Sequence, residues 1–134
     1  MREILFRGKH VDNGEWIEGY YYFEPYAERA YIVRWNSFGM GFNEFIRVDP
    51  ATVGQYTGLK DRNGVQIFEG DIVRCRKGRI CKVIYLTSPG IALFDLLPVA
   101  AFDTPIPPLS DLFEGSEVIG NIHDNPELME VQNV

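Results

Sequence analysis

The side chains that most often carry out chemistry in proteins are few and widely spaced in this sequence. Its two histidines, His10 and His123, stand far apart, and neither belongs to a pair with the spacing of metal ligands. The sequence also has no G-x-x-x-x-G-K-[ST] phosphate-binding loop, no G-x-S-x-G nucleophile motif and no C-x-x-C pair. We therefore predict that the chain is not an enzyme and has no catalytic residue, metal site or cofactor.

One pair of carboxylates has a spacing that hydrolytic chemistry could use. Glu69 and Asp71 are two residues apart, so they would share one face of a strand, as two-carboxylate catalysis requires. However, Asp71 directly follows Gly70, and a carboxylate in this position commonly closes a bend by accepting a local hydrogen bond. We favour this structural interpretation for Asp71, and we expect Asp61 to form a turn in the same way.

The two cysteines, Cys75 and Cys81, flank a predicted hairpin turn. A three-residue loop, Lys77-Gly78-Arg79, would pair Cys75 with Cys81 and Val73 with Val83. A disulfide could form across such a pair, but two cysteines without a signal peptide favour buried free thiols in a reducing compartment. The same register predicts one apolar core face made of Val73, Cys75, Cys81, Val83 and Tyr85.

Short strands joined by tight turns are predicted to position these residues. Asn13-Gly14 and Asn63-Gly64 each separate two β-rich runs, which is typical of hairpins because both residues tolerate positive φ. Asp49-Pro50 and Asn125-Pro126 are predicted to cap and begin short helical turns. An apolar run at 91–97 fits a strand better than a helix because it is short. The other predicted strands are 3–7, 16–23, 30–35, 45–48, 56–59, 65–68, 72–76, 80–85 and 117–123.

Two stretches interrupt this pattern and each allows two interpretations. Residues 36–43 contain two glycines and three exposed candidates, Phe38, Met40 and Phe42. These side chains either fold back onto the core or form an adhesive tip, since Met and Phe are common in interface cores. The proline-rich residues 103–110 are either an ordered connector or a polyproline-type docking segment or oligomer contact.

Charge is distributed unevenly along the chain. The net charge of −6 argues against general nucleic-acid binding, which usually accompanies a basic domain. Residues 60–82 nevertheless contain seven Lys or Arg and three acids, whereas the chain from residue 83 onward has eight acids and no Lys or Arg. Either the two regions neutralise each other, or a basic hairpin is offered to an acidic partner or to nucleic acid. The cations of that hairpin are Arg74, Arg76, Lys77, Arg79 and Lys82.

Three parts of the sequence resemble the YopX family of phage and prophage proteins. They are the opening residues 1–7, the central segments 53–61, 63–64 and 67–73, and the closing residues 117–128. Residues 27–44 and 88–115 follow no pattern of the family. The resemblance implies a β-rich fold that is SH3-like in part and a phage origin. The family's molecular function is uncharacterised, so the resemblance implies no catalytic residue.

Together these features predict a single all-β domain over residues 1–134, with one or two short helical turns. The central order of strand, Gly-Asp bend, Ile-Val strand and tight turn is common in small SH3-like barrels. We expect a partly open SH3-like barrel of antiparallel hairpins with an N-terminal β-hairpin extension. Its parts would be N-terminal strands at 1–48, core hairpins at 49–86, a variable apolar and proline-rich insertion at 87–116, and a closing strand with a helical turn at 117–130.

The function most consistent with the sequence is a non-catalytic protein-interaction module. We expect a host or phage protein as its partner, and self-association, because the middle segment is more apolar than a small barrel can bury. The alternative is a nucleic-acid-binding protein that uses the basic hairpin at 74–82, and an enzyme of unknown type is a third. With no apolar run near the roughly 20 residues that cross a bilayer, we expect no membrane contact and a location in the bacterial cytoplasm. The candidate binding surface comprises Arg74, Arg76, Lys77, Arg79, Lys82, Phe38, Met40 and Phe42.

Overall fold

The computed structural model describes residues 3–35, 43–75, 78–98 and 115–130. Within these ranges the chain forms ten strands and two short 3-10 helices, and the paired strands run antiparallel. The predicted all-β class is therefore confirmed. The elements are β1 (Phe6–Lys9), β2 (Trp16–Glu24), β3 (Arg29–Trp35), β4 (Asn43–Val48), η1 (Pro50–Thr52), β5 (Gly54–Lys60), β6 (Gln66–Phe68), β7 (Asp71–Arg74), β8 (Ile80–Ser88), β9 (Ile91–Pro98), β10 (Glu117–Asn121) and η2 (Pro126–Met129).

The turns follow the predicted local chemistry. Gly14 and Gly64 have φ values of +71° and +81°, the left-handed conformation that the two Asn-Gly turns were predicted to use. Asp49 caps η1, because its carboxylate accepts a hydrogen bond from the Ala51 N–H at 3.0 Å. The apolar run after Gly90 forms strand β9, as its length predicted.

Two local predictions were wrong. The first strand runs from Phe6 to Lys9 rather than over residues 3–7, because the Asn-Gly hairpin fixes its register by pairing Lys9 with Trp16. Asn125 precedes η2 but its side chain does not cap that helix. Its Oδ1 instead accepts a hydrogen bond from the Asn121 N–H at 3.2 Å, so the amide closes the preceding turn.

Two compact units divide the chain, residues 1–56 and residues 57–134. Strand β5 passes through the boundary between them, which lies between Tyr56 and Thr57. The SH3-like arrangement and the single domain stay predictions.

The first unit is a curled antiparallel sheet with the strand order β4-β3-β2-β1-β5. Its edge strand β4 meets the residues that follow β1, where His10 forms a β-bridge with Val48 and the Val11 N–H donates to the Arg47 carbonyl at 3.1 Å. The sheet thereby wraps around its own apolar side chains and removes them from water, which is the main favourable term in folding. This core contains Ile17, Ala30, Ile32, Ile46 and Val48, with Phe6 and Val53 packed against it.

Glycine at position 19 allows strands β2 and β3 to approach closely. A Cβ on Gly19 would lie 2.5 Å from the Val33 carbonyl oxygen and 2.9 Å from the Ile32 Cγ2 atom. Real Cβ atoms do not approach a backbone oxygen so closely, so any other residue would push the strands apart. Gly19 therefore sets the spacing of the sheet directly beside its core.

The second unit contains a four-stranded sheet with the order β10-β7-β8-β9. Strands β8 and β9 form a long hairpin that pairs residues 81–88 with residues 91–98. Alternate side chains point inward along each strand and meet the buried side chain of Ile67 from β6. The resulting core contains Ile67, Val73, Cys75, Cys81, Val83 and Leu96, with Val118 packed against it.

The predicted register of the β7–β8 hairpin was wrong by two residues, although the predicted core face was right. Val73 lies opposite Cys81, and the Cys75 N–H donates to the Arg79 carbonyl at 2.8 Å. Gly78 has a φ of +80° and takes the third position of the loop, which is where a three-residue hairpin loop needs a left-handed residue. A shift of two residues preserves the alternation of faces. Tyr85 is the exception, since it is exposed rather than part of the core.

Asp61 is buried, and it binds a distant strand in addition to forming its own turn. Its Oδ1 accepts hydrogen bonds from the N–H groups of Asn63 and Val65 at 2.8 and 2.9 Å, and its Oδ2 accepts one from Val118 at 2.9 Å. Burial alone would raise the pKa of Asp61. The three N–H donors and the positive charge of Arg62 outweigh that effect and hold the pKa below its ordinary value.

Asp71 closes the bend before β7, as predicted. Its Oδ2 accepts a hydrogen bond from the Phe68 N–H at 2.8 Å, and the residue is buried. Gly70 between them has a φ of +91°, which gives the chain its sharp bend. The arrangement supports a structural role for Asp71.

Several predicted features lie outside the described residues. They include the loop aromatics Phe38, Met40 and Phe42, the hairpin cations Arg76 and Lys77, and the proline-rich residues 103–110.

Candidate binding surface

The first unit carries aromatic side chains on the outer surface of its sheet. Because Ile17, Ile32 and Ile46 point into the core, the alternation of a strand places their neighbours at odd offsets on the opposite side. We call this side the aromatic face and define it by Trp16, Tyr20, Tyr22, Tyr31 and Phe45. Tyr20, Phe45 and Tyr22 are 68%, 59% and 47% exposed, whereas Trp16 and Tyr31 are half-buried.

Three of these rings form one cluster across adjacent strands. Tyr22 lies opposite Tyr31 in the β2–β3 register, and their ring centroids are 6.3 Å apart. Phe45 on β4 meets both rings edge to face, at 6.3 Å from Tyr22 and 6.4 Å from Tyr31. Aromatic pairs at these distances and angles stabilise one another. The exposed rings therefore sit on a rigid support.

Charged side chains of both signs surround the rings. On β1, the Arg7 guanidinium carbon and the Lys9 Nζ atom lie 4.5 and 5.4 Å from the centroid of the Trp16 ring, which is within cation–π range. The register also brings four more charged residues to this face, with Glu18 opposite Arg7, Glu24 opposite Arg29, and Arg47 opposite Tyr31. The aromatic face is thus an apolar centre with a mixed polar rim.

A cleft of about 220 Å³ shares two cations with that rim. Arg29 and Arg47 both line it, together with the apolar side chains of Val11 and Pro50. Glu28 also lines the cleft, and its φ of +53° is positive, which is uncommon for a residue other than glycine. The cleft combines two acids with two cations, so it has no strong preference for one sign of charge.

Comparison with known proteins assigns the family. The sequence matches the family model "YopX protein" over residues 5–130, which is nearly the whole chain. The chain belongs to the YopX family. The YopX-family chain is also similar to the crystal structure of protein EF1440 from Enterococcus faecalis, with 26% sequence identity and a TM-score of 0.60. That likeness covers 97% of this chain and 100% of the other. No curated protein matches the sequence.

The basic hairpin of this YopX protein, residues 74–82, is partly neutralised within its own unit. The Glu117 carboxylate on β10 accepts a hydrogen bond from Arg62 at 2.7 Å and lies 4.0 Å from the Arg74 guanidinium. Arg74 and Lys82 lie on the face of β7 and β8 opposite the core, while Arg79 acts electrostatically on the two cysteine thiols. Two described cations of the predicted surface, Arg74 and Lys82, therefore share one face, and Glu117 lies beside Arg74.

The histidines, cysteines and carboxylates of this YopX protein are scattered over the parts of the chain that the structure describes. No group of three or more His, Cys, Asp or Glu residues lies close enough there to hold a metal ion. His10 accepts a hydrogen bond on Nδ1 from the Asp12 N–H at 3.0 Å, so it supports a turn. The described residues also include no helix of the length and apolar character needed to cross a membrane.

Sequence reasoning missed the aromatic face. It placed strands at 16–23, 30–35 and 45–48 but did not sort their side chains by face. The available signal was the run Tyr20-Tyr21-Tyr22-Phe23, in which alternate rings must leave the core because Ile17 occupies it. Sorting β3 and β4 in the same way would have brought Tyr31 and Phe45 to the same side.

Proposed function

We propose that this YopX-family chain is a non-catalytic protein-interaction module and that the aromatic face is its docking surface. The observation that carries the proposal is the cluster of Tyr22, Tyr31 and Phe45, which three adjacent strands hold on the solvent side of the first unit. The partner is another protein, and the family resemblance favours one encoded by the host or by a phage.

The composition of the face fits a protein partner. Tyr, Trp, Phe and Arg are the residues enriched in interface centres and in binding hot spots. A contiguous exposed apolar surface is uncommon on a monomer unless it serves an interaction. Because the rings are mounted on a sheet and contact one another, little side-chain freedom remains to be lost on binding.

The charges of the rim favour a protein over a nucleic acid. Arg7, Lys9, Arg29 and Arg47 provide cations around the face, but Glu18 and Glu24 lie among them. A phosphate backbone is uniformly negative, so it would be attracted by these cations but repelled by the two carboxylates. A protein surface presents both signs of charge and can complement such a mixed rim.

Self-association is a second part of the proposal and rests on the sequence. The apolar, proline-rich insertion that motivates it was predicted at residues 87–116, of which residues 99–114 lie outside the described part of the chain. Static light scattering across a hundredfold range of concentration tests it. A mass that rises to that of a dimer or larger oligomer supports self-association, and a constant monomer mass excludes it.

The docking surface is tested by comparing two variants in affinity capture from bacterial lysate. In Tyr20→Thr/Phe45→Thr, two exposed rings are removed from the face while β-branched residues keep the strand preference. In the control, Tyr26→Thr, a ring that is 99% exposed is removed from the turn outside the face. We expect the double variant to bind the captured partner at least 10-fold more weakly, as loss of hot-spot aromatics does, and the control to bind like the wild type.

If the double variant retains wild-type affinity while its circular dichroism spectrum is unchanged, the aromatic face is not the docking surface. If the captured material disappears after nuclease treatment, the partner is a nucleic acid and the protein-interaction assignment fails.

A further inference from the structure

The second unit buries a pair of sulfur atoms that its fold does not require to be there. Cys75 follows β7 and Cys81 lies in β8, and both thiols are free. Their Sγ atoms are 3.7 Å apart, and the residues are 4% and 0% exposed. Packing alone would be served by any small apolar side chain, since a buried free cysteine behaves as a small hydrophobe.

We propose that Cys75 and Cys81 are a reversible thiol–disulfide pair that a small-molecule disulfide such as oxidised glutathione converts to an intramolecular cross-link. The two sulfur atoms must approach from 3.7 Å to the length of a disulfide bond, about 2.05 Å. Rotation of the two side chains and a small adjustment of the hairpin supply this movement.

The surroundings give the two thiols different roles. The hydrogen bond between the two thiols lowers the pKa of Cys75 against the opposing effect of burial, and the positive charge of Arg79 lowers it further. The same hydrogen bond and burial raise the pKa of Cys81. Cys75 is therefore the attacking thiolate and Cys81 the thiol that resolves the intermediate.

The exchange balances in two steps. The Cys75 thiolate attacks one sulfur of the small-molecule disulfide, forms a mixed disulfide and releases one thiolate. The Cys81 thiol then loses its proton and attacks the Cys75 Sγ atom, which forms the intramolecular bond and releases the second small thiol. In total, two protein thiols are oxidised by two electrons, and one small disulfide is reduced to two thiols.

The cross-link would act on the basic hairpin. The new ring spans residues 75–81 and therefore encloses Arg76, Lys77 and Arg79. It ties the end of β7 to β8, so oxidation constrains the two strands that flank these cations. This site is independent of the aromatic face, and its failure would leave the proposed docking surface unaffected.

Oxidation of the folded wild-type chain tests the proposal directly. The protein is equilibrated with a series of ratios of oxidised to reduced glutathione, its remaining thiols are alkylated, and its mass is measured. We expect both thiols to disappear together in one two-electron transition, with a monomer 2 Da lighter than the reduced chain. Trypsin cuts between the two cysteines, so the cross-link joins the peptide Cys75-Arg76 to the peptide Ile80-Cys81-Lys82.

Two variants separate the assigned roles. Cys81→Ser should stop at the first step and hold one glutathione on Cys75. Cys75→Ser should react at least 10-fold more slowly, because the remaining Cys81 thiol is the less exposed of the two and has the raised pKa. Near-UV circular dichroism checks that both chains are folded. The proposal is overturned if the wild type gives a stable double adduct, an intermolecular dimer or no linked peptide, or if Cys75→Ser reacts as fast as Cys81→Ser.

Discussion

The aromatic face of the first unit and the basic hairpin of the second are both rich in one kind of side chain, but they differ in what surrounds those side chains. The hairpin cation Arg74 lies beside Glu117, which also binds Arg62, so the charge of Arg74 is partly neutralised within the unit. Tyr20 and Phe45 remain exposed on a rigid sheet. A cluster of cations along the sequence is therefore a charged binding surface only if the fold places no acids beside it.

The difference also follows from the way each region gathers its residues. The hairpin cations are neighbours in the chain, so any sequence scan finds them. The aromatic rings come from three strands and meet only through the pairing of Tyr22 with Tyr31 and the further pairing of β3 with β4. Such a surface is visible in the sequence only after each strand has been sorted into two faces.

The largest loss of stability is expected from a substitution at Asp61, which positions the acid that neutralises cations of the second unit. Asp61 binds the Val118 N–H and thereby holds β10, and with it Glu117, beside Arg62. Asp61→Ala removes the acceptor of three partly buried hydrogen bonds from backbone N–H groups, and each such bond to a charged group is worth about 1.5–3 kcal/mol. We expect the free energy of unfolding to fall by about 3 kcal/mol or more, measured by urea denaturation.

The pH dependence of the same variant distinguishes a charge effect from a packing effect. Because the pKa of Asp61 is lower in the folded than in the unfolded chain, its stabilisation is complete above the unfolded value, about 3.9, and is lost as the pH falls toward the folded value. The stability difference between wild type and Asp61→Ala should therefore stay constant above about pH 5 and shrink as the pH falls from about 5 toward 3. A difference that stays constant over this range would contradict the assignment.

A smaller loss of stability is expected at the support of the aromatic face. Gly19→Ala places a methyl group against the Val33 carbonyl oxygen and the Ile32 side chain. Overpacking of this kind typically costs about 1–3 kcal/mol, so we expect a destabilisation of about 2 kcal/mol together with weaker partner binding. Glu18→Ala, one residue away and exposed, is the control for stability alone, because Glu18 lies in the rim of the aromatic face, and it should change stability by less than about 0.5 kcal/mol. A stable Gly19→Ala chain with full binding would show that the sheet spacing is not needed.

The smallest change in stability is expected when the carboxylate beside the hairpin cation Arg74 is neutralised. Glu117→Gln removes the charge that lies beside Arg62 and Arg74, and exposed ion pairs contribute only about 0–1 kcal/mol. We expect little change in stability but a measurable gain in binding of single-stranded DNA at low salt, which disappears as salt is added. If wild type and Glu117→Gln bind the oligonucleotide equally, Glu117 does not neutralise the hairpin.

Local sequence chemistry predicted the parts of the fold that local chemistry determines. Asn13-Gly14, Asn63-Gly64 and Asp49-Pro50 gave the right turns and cap, and Asp71 closes the bend that its position after Gly70 indicated. These features depend on a few neighbouring residues, so a single sequence contains the information.

The features that were missed depend on distant residues or on competing positions of one residue. The sheet of the first unit closes between His10 and Val48, and Asp61 binds the N–H of Val118, which is 57 positions away in the sequence. Neither contact can be predicted from the neighbouring residues alone. The hairpin register failed because Gly78 could take the second or the third place in its loop, and both choices keep the same core face.

The measurement that tests the central claim most directly is site-specific photocrosslinking. A photoreactive phenylalanine analogue replaces Tyr20 or Phe45 on the aromatic face, or Tyr85 on the second unit, which is also exposed. If the aromatic face is the docking surface, the two face positions yield one covalent adduct with a discrete protein partner and the Tyr85 position yields none. An adduct from the Tyr85 position alone, or crosslinks to nucleic acid from the face, would contradict the account.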